Sequence, residues 1–325
     1  MKALRRLVCG FAAAVLPLAA FGQADSYPSK VVKIVVPYPA GGYYDRVARI
    51  IADTFKTSLK QTFIVENRVG ANGVIGASYV AKSAPDGYTL LLAAIGPNVI
   101  SPALSANLPY DPVRDFTPVS LLVSAPNVLV VPATSKVNSL SDLRETVKTM
   151  KGRANYAHNG VGSSVHLAME LMKGATGMQI EAIPYKGSAP AVTAVMAGEV
   201  DVSFGSVLDV LPAVQTGKLR AIGVGSTTRL SVLPNVPTVA EAGIPGFDST
   251  AWSGLIAPPG TPAAIVNTLN AAVNAALTDP ATIKRLSPGG ELQMLGGSPD
   301  KFADYIKSEL VKWRKVVKDN AIKAE

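Results

Sequence analysis

Cysteine is nearly absent from this chain of 325 residues, and its single copy, Cys9, stands close to the start. Basic residues precede Cys9, an apolar segment extends from Leu7 to Phe21, and small residues follow. This order is typical of a secretory signal peptide, so we expect residues 1–24 to be cleaved on export to the periplasm. The remaining chain then has no thiol, which excludes disulfides, thiolate nucleophiles and cysteine metal ligands.

Long apolar segments and concentrated positive charge are also lacking. The apolar part of the leader is shorter than the about 20 residues that a membrane helix needs, and charge or proline interrupts every later apolar segment. The net charge of +8 includes three basic residues of the leader. The densest basic patch, Lys312–Lys318, is interpreted as the solvated face of a helix, because nucleic-acid binding requires a basic stripe or a known motif. We therefore expect a soluble exported protein that binds no nucleic acid.

Groups that could carry catalysis are few. The two histidines of the chain are His158 and His166. His166 and Glu170 stand four residues apart on a predicted helix, and we interpret them as a surface pair because no further ligands complete a metal site. Neither the G-x-S-x-G elbow nor the G-x-x-x-x-G-K-S/T phosphate loop occurs. Ser163 and Ser164 lie in a loop where they could bind an anion or cap a helix, and an exported serine hydrolase that uses one of them remains an alternative. No metal or cofactor is predicted.

The chain is organised around residues 31–46. Val31–Val36 is rich in β-branched residues, which is typical of a strand covered on both faces in a parallel sheet. The loop that follows holds Gly41 and Gly42, which permit backbone conformations closed to other residues. Apolar residues then recur at helical spacing over Val47–Leu59. Strand, glycine turn and helix N-terminus form a place where backbone N–H groups can meet an anion, although a tight connection without a ligand explains the same residues.

Alternating strand and helix signals predict an α/β protein with two lobes. Two strands, Val119–Val123 and Asn127–Val131, follow each other without a helix and mark the first passage between lobes. A strand at Trp252–Ala257 marks the return. Such a double passage indicates a hinge. The predicted division is residues 25–124 and 251–325 for lobe I and residues 125–250 for lobe II.

Glycine and serine recur in the loops that follow the predicted strands. In open α/β sheets, ligands collect at the carboxyl ends of strands, so these loops are candidates for a binding site. The other predicted elements that bear on the site are a loop at Ala94–Asn98, a strand at Val200–Phe204, a short helix at Val239–Ala242, and helix N-caps at Thr261 and Ser298.

Seven segments match the sequence pattern of a known family. They are Val35–Gly42 with Asp45, Val65–Arg68 with Gly70 and Gly76, Ala84–Leu90, Tyr185–Ala191, Gly198–Asp201, Val236–Gly243 and Ala257–Pro262. In this order behind a signal peptide, they resemble the Bug receptor family, the extracytoplasmic solute-binding receptors of tripartite tricarboxylate transporters. The resemblance extends from Tyr27 to Lys318, essentially the whole mature chain.

The resemblance implies a fold like that of type 2 periplasmic binding proteins, with two doubly wound lobes joined by two crossing strands and a ligand cleft between them. A small carboxylate would be held by backbone N–H groups, hydroxyls and bridging waters instead of an arginine clamp. The protein would be a non-enzymatic monomer that delivers its ligand to membrane components of a transporter, or alternatively a ligand sensor. Carried over by position, the candidate ligand-binding residues are Tyr38, Pro39, Ala40, Gly41, Gly42, Tyr43, Tyr44, Asp45, Gly96, Asn159, Gly160, Gly162, Ser163, Ser164, Gly187, Ser188 and Ser206.

Two departures from the family pattern bear on the ligand. Tyr43 and Tyr44 stand where the family often has a small or hydroxyl residue, which predicts a narrower pocket or one that stacks on a ring. Gly205 stands where many members have an acidic residue that could pair with a ligand amine. The sequence therefore favours a carboxylic acid without an amine, either aliphatic or aromatic.

Overall fold

The computed structural model describes residues 27–105, 107–319 and 322, so the predicted signal peptide, residues 1–24, lies outside the described residues. None of the helices in this part of the chain has the length and apolar character needed to span a bilayer. The strands are β1 Val32–Val36, β2 Phe63–Asn67, β3 Thr89–Ala94, β4 Thr117–Pro132, β5 Asn155–His158, β6 Glu181–Pro184, β7 Ser203–Ser206, β8 Leu219–Val224, β9 Thr250–Ala257 and β10 Gln293–Met294.

Helices separate most of these strands. They are α1 Tyr43–Ser58, α2 Val74–Ala81, α3 Ser101–Leu104, α4 Leu140–Met150, α5 Ser164–Thr176, α6 Ser188–Ala197, α7 Val207–Gln215, α8 Ala263–Thr278, α9 Pro280–Leu286 and α10 Pro299–Asp319, with a 3₁₀ turn at Ala71–Gly73 and a π turn at Gly96–Ile100. The alternation of strand and helix confirms the α/β class.

The strands form two groups that share β4. In the first group the order is β10-β4-β9-β3-β1-β2. Strand β1 runs parallel to both β2 and β3, as predicted, whereas β9 runs antiparallel to β3 and to β4. In the second group β7 and β8 pair antiparallel with β4, and β5 pairs parallel with β6. A bridge between Tyr156 and Val202 sets β5 beside the chain that leads into β7. The sheets are mixed, and each group forms one lobe.

Strand β4 is one continuous element of 16 residues, so the prediction of two separate strands is wrong. Its first part pairs with β9 as far as Pro126, which lies opposite Thr250. Its second part pairs with β7 from Asn127 onward. Proline in a strand is tolerated where its missing N–H has no ladder partner, and Pro126 stands where the pairing partner changes. The sequence signal for a break therefore marked a change of sheet rather than an end of the strand.

The second passage between the lobes runs beside this point. The Asn127 N–H donates to the Ser249 carbonyl (3.4 Å), the Ser249 N–H to the Gly225 carbonyl (2.7 Å), and the Gly225 N–H to the Asn127 carbonyl (2.7 Å). The side-chain Nδ2 of Asn127 also donates to the carbonyl and to Oγ of Ser249, each at 3.2 Å. A Cβ at Gly225 would lie 2.9 Å from both the Asn127 and the Ser249 carbonyl oxygen. Both crossings are therefore tied together through one asparagine and one glycine.

Helix α10 packs its apolar stripe onto the first group of strands. Phe302, Ile306 and Trp313 are buried, and the Trp252 ring of β9 meets Phe302 edge to face with centroids 5.8 Å apart. Both indole N–H groups donate to Oε2 of the buried Glu309, Trp252 at 3.2 Å and Trp313 at 3.1 Å. Each buried large apolar side chain contributes about 1.5–3 kcal/mol, so this stripe anchors the C-terminal helix firmly.

Several local predictions are wrong for physical reasons. The predicted loop Ala94–Asn98 contains the end of β3 and the start of the π turn. Val239–Ala242 forms turns, not a helix, and β7 begins at Ser203, not Val200. Thr261 does not cap α8, because its hydroxyl donates to the Pro258 carbonyl at 2.8 Å. The cap at Ser298 is confirmed, since its Oγ accepts from the Lys301 N–H at 3.2 Å.

Candidate functional site

The loop between β1 and α1 is held from inside by Asp45. Its Oδ2 accepts from the Gly41 N–H at 2.8 Å and from Nε of Arg49 at 2.9 Å, and its Oδ1 accepts from Nδ2 of Asn67 at 2.9 Å. Burial opposes the charged form, yet these donors lower the pKa of the Asp45 carboxyl below its usual value. Asn67 Nδ2 also donates to the Tyr38 carbonyl at 3.0 Å. Both carboxylate oxygens of Asp45 are therefore engaged in shaping the loop.

The two glycines of this loop have different roles. Gly41 has φ +83°, a conformation that favours glycine. Gly42 has φ −77° and ψ 178°, which any residue adopts, so the expectation of an unusual backbone at Gly42 is wrong. Gly42 is the N-cap of α1, and no side chain caps the helix. Pro39, Ala40, Gly41 and Gly42 are exposed, so the loop that leads into the N-terminus of α1 lies at the surface of the molecule.

Three tyrosines form a cluster behind this loop. The rings of Tyr38 and Tyr44 stack with centroids 4.6 Å apart, and Tyr43 meets Tyr44 edge to face at 4.7 Å. The Tyr43 hydroxyl reaches inward to the Val123 carbonyl at 3.3 Å and Oγ of Ser253 at 3.4 Å. Burial raises the pKa of all three phenols, so they are neutral at physiological pH. Tyr38 and Tyr44 are the partly exposed members and offer an aromatic wall.

Gly96 lies against this wall. A Cβ at Gly96 would lie 2.1 Å from the Tyr38 hydroxyl oxygen and 2.9 Å from Oδ1 of Asn72. The Tyr38 hydroxyl itself lies 3.5 Å from Oδ1 of Asn72. Tyr38, Asn72 and Gly96 thus meet, and the space that a side chain at position 96 would fill is taken by the phenol.

The loop after β5 supplies the facing side. Asn159 Nδ2 donates to Oγ of Ser188 at 2.9 Å, which ties this loop to the start of α6. Gly160 and Gly162 both have positive φ, +129° and +74°. The Gly162 carbonyl accepts from Nδ2 of Asn72 at 3.3 Å, and this contact joins the two lobes directly. Sequence reasoning missed Asn72. It has φ +50°, a left-handed conformation that asparagine tolerates, and an asparagine in a glycine-rich turn is the signal that could have found it.

The two serines that end this loop act locally. Ser163 is the N-cap of α5, and its Oγ accepts from the His166 backbone N–H at 3.2 Å. The Ser164 carbonyl accepts from Nδ2 of Asn127 at 3.4 Å, which connects α5 to the hinge. His166 Nδ1 accepts from the Gly162 N–H, so neither contact places a serine hydroxyl on that imidazole. A serine hydrolase built on Ser163 and His166 has no support in this geometry.

The predicted surface pair of His166 and Glu170 is wrong. His166 is 7% exposed and His158 is 1% exposed, and their ring centroids are 4.7 Å apart. Glu170 accepts from the Tyr156 hydroxyl at 2.6 Å and pairs with Lys173 at 2.7 Å. Burial, with the neighbouring His158, lowers the pKa of His166 to about 4. Helix α5 packs these residues inward onto β5. The four-residue spacing of His166 and Glu170 in the sequence does not show whether that helix face is buried or exposed.

Two more helices begin at the same site. Gly187, with φ +112°, is the N-cap of α6, and Ser206 is the N-cap of α7 without a side-chain capping bond. In the first turn of α7, Asp209 hydrogen-bonds Ser188 and faces Arg46 of α1, and burial raises the pKa of its carboxyl. Sequence reasoning looked for an acidic residue at Gly205 and missed Asp209, which the first turn of α7 brings beside Ser188.

Buried polar atoms without partners mark two of these loops. Within the described ranges, the side-chain atoms of this kind are Asn98 Nδ2, Asn127 Oδ1, Asn159 Oδ1 and Ser206 Oγ. An unsatisfied buried polar atom costs about 1–3 kcal/mol, so it calls for a partner. Asn159 bonds Ser188 at the start of α6, and Ser206 is the N-cap of α7. The Asn159 Nδ2 carries a second N–H besides the one donated to Ser188, so its side chain can offer a donor as well as an acceptor.

A cavity of about 310 Å³ adjoins this region between the lobes. Its walls come from α1, from α7, and from the end of α9 with the segment that follows it. Its lining combines apolar side chains with Arg46, Arg285 and Glu291. Tyr43 lines it too, so the cavity shares one residue with the candidate site. No group of three or more possible metal-binding side chains occurs in the described part of the chain.

Comparison with known proteins gives one consistent result. A family model described as tripartite tricarboxylate transporter family receptor matches residues 47–322. The chain is 38% identical over 317 residues to BugT of Bordetella pertussis, which covers 97% of each chain. It is also 38% identical over 322 residues to a protein encoded in the tcbD-tcbE intergenic region of Pseudomonas sp. strain P51, covering 98% of this chain and 95% of that one.

Solved structures agree. A protein of R. palustris with adipate has a TM-score of 0.84 at 36% identity, covering 91% of this chain and 99% of that one. MatC from Rhodopseudomonas palustris with bound malate has a TM-score of 0.79 at 36% identity, covering 90% and 100%. The periplasmic binding protein BugD has a TM-score of 0.81 at 32% identity, covering 92% and 100%.

Proposed function

Since the chain belongs to the family of tripartite tricarboxylate transporter receptors, we propose that it is a periplasmic receptor which captures a small carboxylate between its lobes. The observation that carries the proposal is the meeting of two glycine-rich loops and the starts of α1, α6 and α7 at one place. Helix N-termini offer free N–H groups and a positive dipole end to an anion. Relatives of known structure hold adipate and malate, which are both dicarboxylates.

The proposed contacts divide by lobe. In lobe I, the backbone N–H groups at the start of α1 and the ring faces of Tyr38 and Tyr44 meet the ligand. In lobe II, hydroxyls and amides near Ser188 meet it, with Ser206 Oγ and the Asn159 side chain gaining the partners that they lack. Asp45 and Ser163 shape the loops. The full proposed set is Tyr38, Pro39, Ala40, Gly41, Gly42, Tyr43, Tyr44, Asp45, Gly96, Asn159, Gly160, Gly162, Ser163, Ser164, Gly187, Ser188 and Ser206.

The proposal includes a division of the chain and a route. Residues 25–124 and 251–325 form lobe I, residues 125–250 form lobe II, and both crossings pass the Asn127 and Ser249 contact. Residues 1–24 direct export and are removed. The loaded receptor, a monomer and not an enzyme, then docks on the membrane components of its transporter or on a sensor.

Asp209 bears on the class of carboxylate. The preference for a ligand without an amine rested on Gly205, but Asp209 places a carboxyl group beside Ser188. Arg46 faces the same carboxyl from the other lobe. An ammonium group of the ligand could pair with Asp209, whereas a second carboxylate could pair with Arg46. Ligand panels should therefore include each acid with and without an α-amine, for example malate beside aspartate.

A thermal-shift screen of organic acids, followed by calorimetry, tests the proposal. Binding to the folded state raises the melting temperature, so adipate, malate or another acid of the panel should raise it. Loss of one hydrogen bond to a charged group costs about 1.5–3 kcal/mol, so Ser206→Ala should weaken the best acid about tenfold or more. Ser308→Ala, an exposed serine on α10, is the matched control. A broad panel in which no carboxylate stabilises the protein would contradict the proposal.

A further inference from the structure

The two histidines of the chain lie directly beneath the lobe II loop. The Gly160 N–H donates to Nδ1 of His158 at 3.2 Å, and the Gly162 N–H donates to Nδ1 of His166 at 3.3 Å. Two glycines of one short loop are thus each held by an imidazole nitrogen. The glycines lie in the loop, whereas His158 belongs to β5 and His166 to α5. The acceptor is the same ring atom in both pairs.

Only a neutral imidazole can make these contacts. A neutral ring has one N–H and one acceptor nitrogen, whereas both nitrogens of the protonated ring are donors. With Nδ1 as the acceptor, the proton of the neutral ring lies on Nε2. Protonation of either ring would set an N–H against the glycine N–H that now donates to it, and that contact would become repulsive.

The held segment is the part of lobe II that reaches lobe I. The Gly162 carbonyl accepts from Nδ2 of Asn72 at 3.3 Å, and a Cβ at Gly162 would lie 3.2 Å from Leu104 and 3.4 Å from Asn72. Asn159, which begins the segment, bonds Ser188. Loss of the hydrogen bond from either glycine N–H to its histidine therefore alters both the Gly162–Asn72 contact between the lobes and the Asn159–Ser188 contact at the start of α6.

The surroundings favour the neutral rings. The rings are buried, 4.7 Å apart, so two positive charges would repel each other. Tyr156 on β5 lies beside both, with centroids 5.8 Å from His158 and 6.4 Å from His166. Glu170 and Lys173 of α5 also face His166, and Glu170 is engaged by Tyr156 and Lys173. Burial lowers the pKa of His166 to about 4, in agreement with this geometry.

We propose that His158 and His166 are positioning residues which hold the Asn159–Ser163 loop in its ligand-binding form only while both rings are neutral, so that carboxylate binding and histidine protonation exclude each other. The inference rests on the proposed function and adds to it a pH-dependent affinity. Because a bound ligand fixes the loop, it lowers the histidine pKa further, and binding releases a proton once the ligand-free protein has taken one up. Affinity then falls by up to about tenfold per pH unit in that range.

The experiment compares the full mature protein with His166→Asn and His158→Asn. Asparagine offers Oδ1 near the position of Nδ1 and does not titrate. Because the pKa of His166 is about 4, calorimetry with adipate and with malate is extended from pH 7.5 down to pH 3.5. The wild type should lose affinity more steeply than the Asn variants, with the difference developing below about pH 4.5, after each protein is referred to its own value at pH 7.5. Protonation of the acid itself is common to all the proteins and cancels in this comparison. Equal pH profiles would overturn the proposal.

A second readout needs no ligand and no substitution. Nitrogen chemical shifts of the histidine rings report the tautomer, and amide hydrogen exchange reports the hold on Gly160 and Gly162. At pH 7.5 we expect the Nε2–H tautomer for both rings and protected glycine amides, with protection lost as the rings titrate. An Nδ1–H tautomer, or protection that persists through the titration, would refute the inference. If no acid binds at any pH, the receptor function fails while these signals still decide the role of the histidines.

Discussion

At the scale of single residues, Gly96 and Tyr38 should behave as one unit. Gly96→Ala places a methyl group 2.1 Å from the Tyr38 hydroxyl oxygen, so the phenol must move. Overpacking of this kind costs about 1–3 kcal/mol. Tyr38→Phe removes the clashing oxygen and should recover much of that loss in the double variant. Urea unfolding of the four proteins of this cycle measures the coupling, and additive effects would show that the two residues do not interact.

Asp45 should contribute stability that depends on pH. Its pKa is lowered in the folded protein, so its contribution is full above the unfolded value of 3.8 and is lost as pH falls through the lower folded pKa. Asp45→Asn should therefore be less stable than the wild type at pH 7, and the gap should narrow as pH falls below 3.8. Chemical unfolding at pH 7 and pH 3 measures the gap. Asp300→Asn, which replaces an exposed carboxylate in the first turn of α10, serves as the control.

The backbone of the first loop gives a paired prediction. Gly42→Ala fits the observed φ of −77° and meets only the Pro39 carbonyl at 3.6 Å, so the free energy of unfolding should change little. Gly41→Ala must adopt φ +83° and should lose about 1 kcal/mol. Adipate and malate should both bind more weakly to Gly42→Ala, since its methyl group stands at the start of α1. Unchanged affinity would remove Gly42 from the proposed site.

At the scale of elements, the joint between β4 and the return strand β9 is the sensitive point. Gly225→Ala sets a Cβ 2.9 Å from two carbonyl oxygens, of Asn127 and Ser249, neither of which can move without shifting a crossing strand. We expect a loss of about 1–3 kcal/mol in unfolding free energy. Gly42→Ala is the matched control, because it adds the same methyl group in open space. Equal stability of the two variants would contradict this account of the joint.

Elements were predicted well where one physical signal acted alone. The β-branched run Val31–Val36 located β1, and Ser298 before a proline located the start of α10. The predictions failed where two signals competed. Pro126 indicated a break, but β4 continues through it because the residues before it pair with β9 and the residues after it pair with β7. Thr261 precedes a proline, as Ser298 does, and was predicted to be an N-cap, but its hydroxyl donates to the Pro258 carbonyl instead. The candidate loops came from glycine and serine positions, whereas Asn72 and Asp209 reach the site through tertiary contacts that no local pattern records.

At the scale of the whole molecule, ligand binding should change the shape. The lobes meet through the Asn72 and Gly162 contact and are joined by two crossings at Asn127 and Ser249, an arrangement that permits hinge closure. Small-angle X-ray scattering should show a smaller radius of gyration at saturating adipate or malate than without ligand. Ser206→Ala should require more ligand for the same change. A radius that stays constant at saturation would exclude closure as the response to that acid.

The place of β9 also determines the order in which the chain can become structured. Strand β9 lies between β3 and β4, although about half the chain separates it from β3 in sequence. As the polypeptide is made from its N-terminus, the sheet of lobe I has a missing central strand until residue 257 has emerged, whereas β4 to β8 are contiguous. Lobe II can therefore assemble first, and lobe I remains an incomplete sheet with two unpaired edges until late. Lobe I therefore completes its fold late, which fits the export that we propose for this chain.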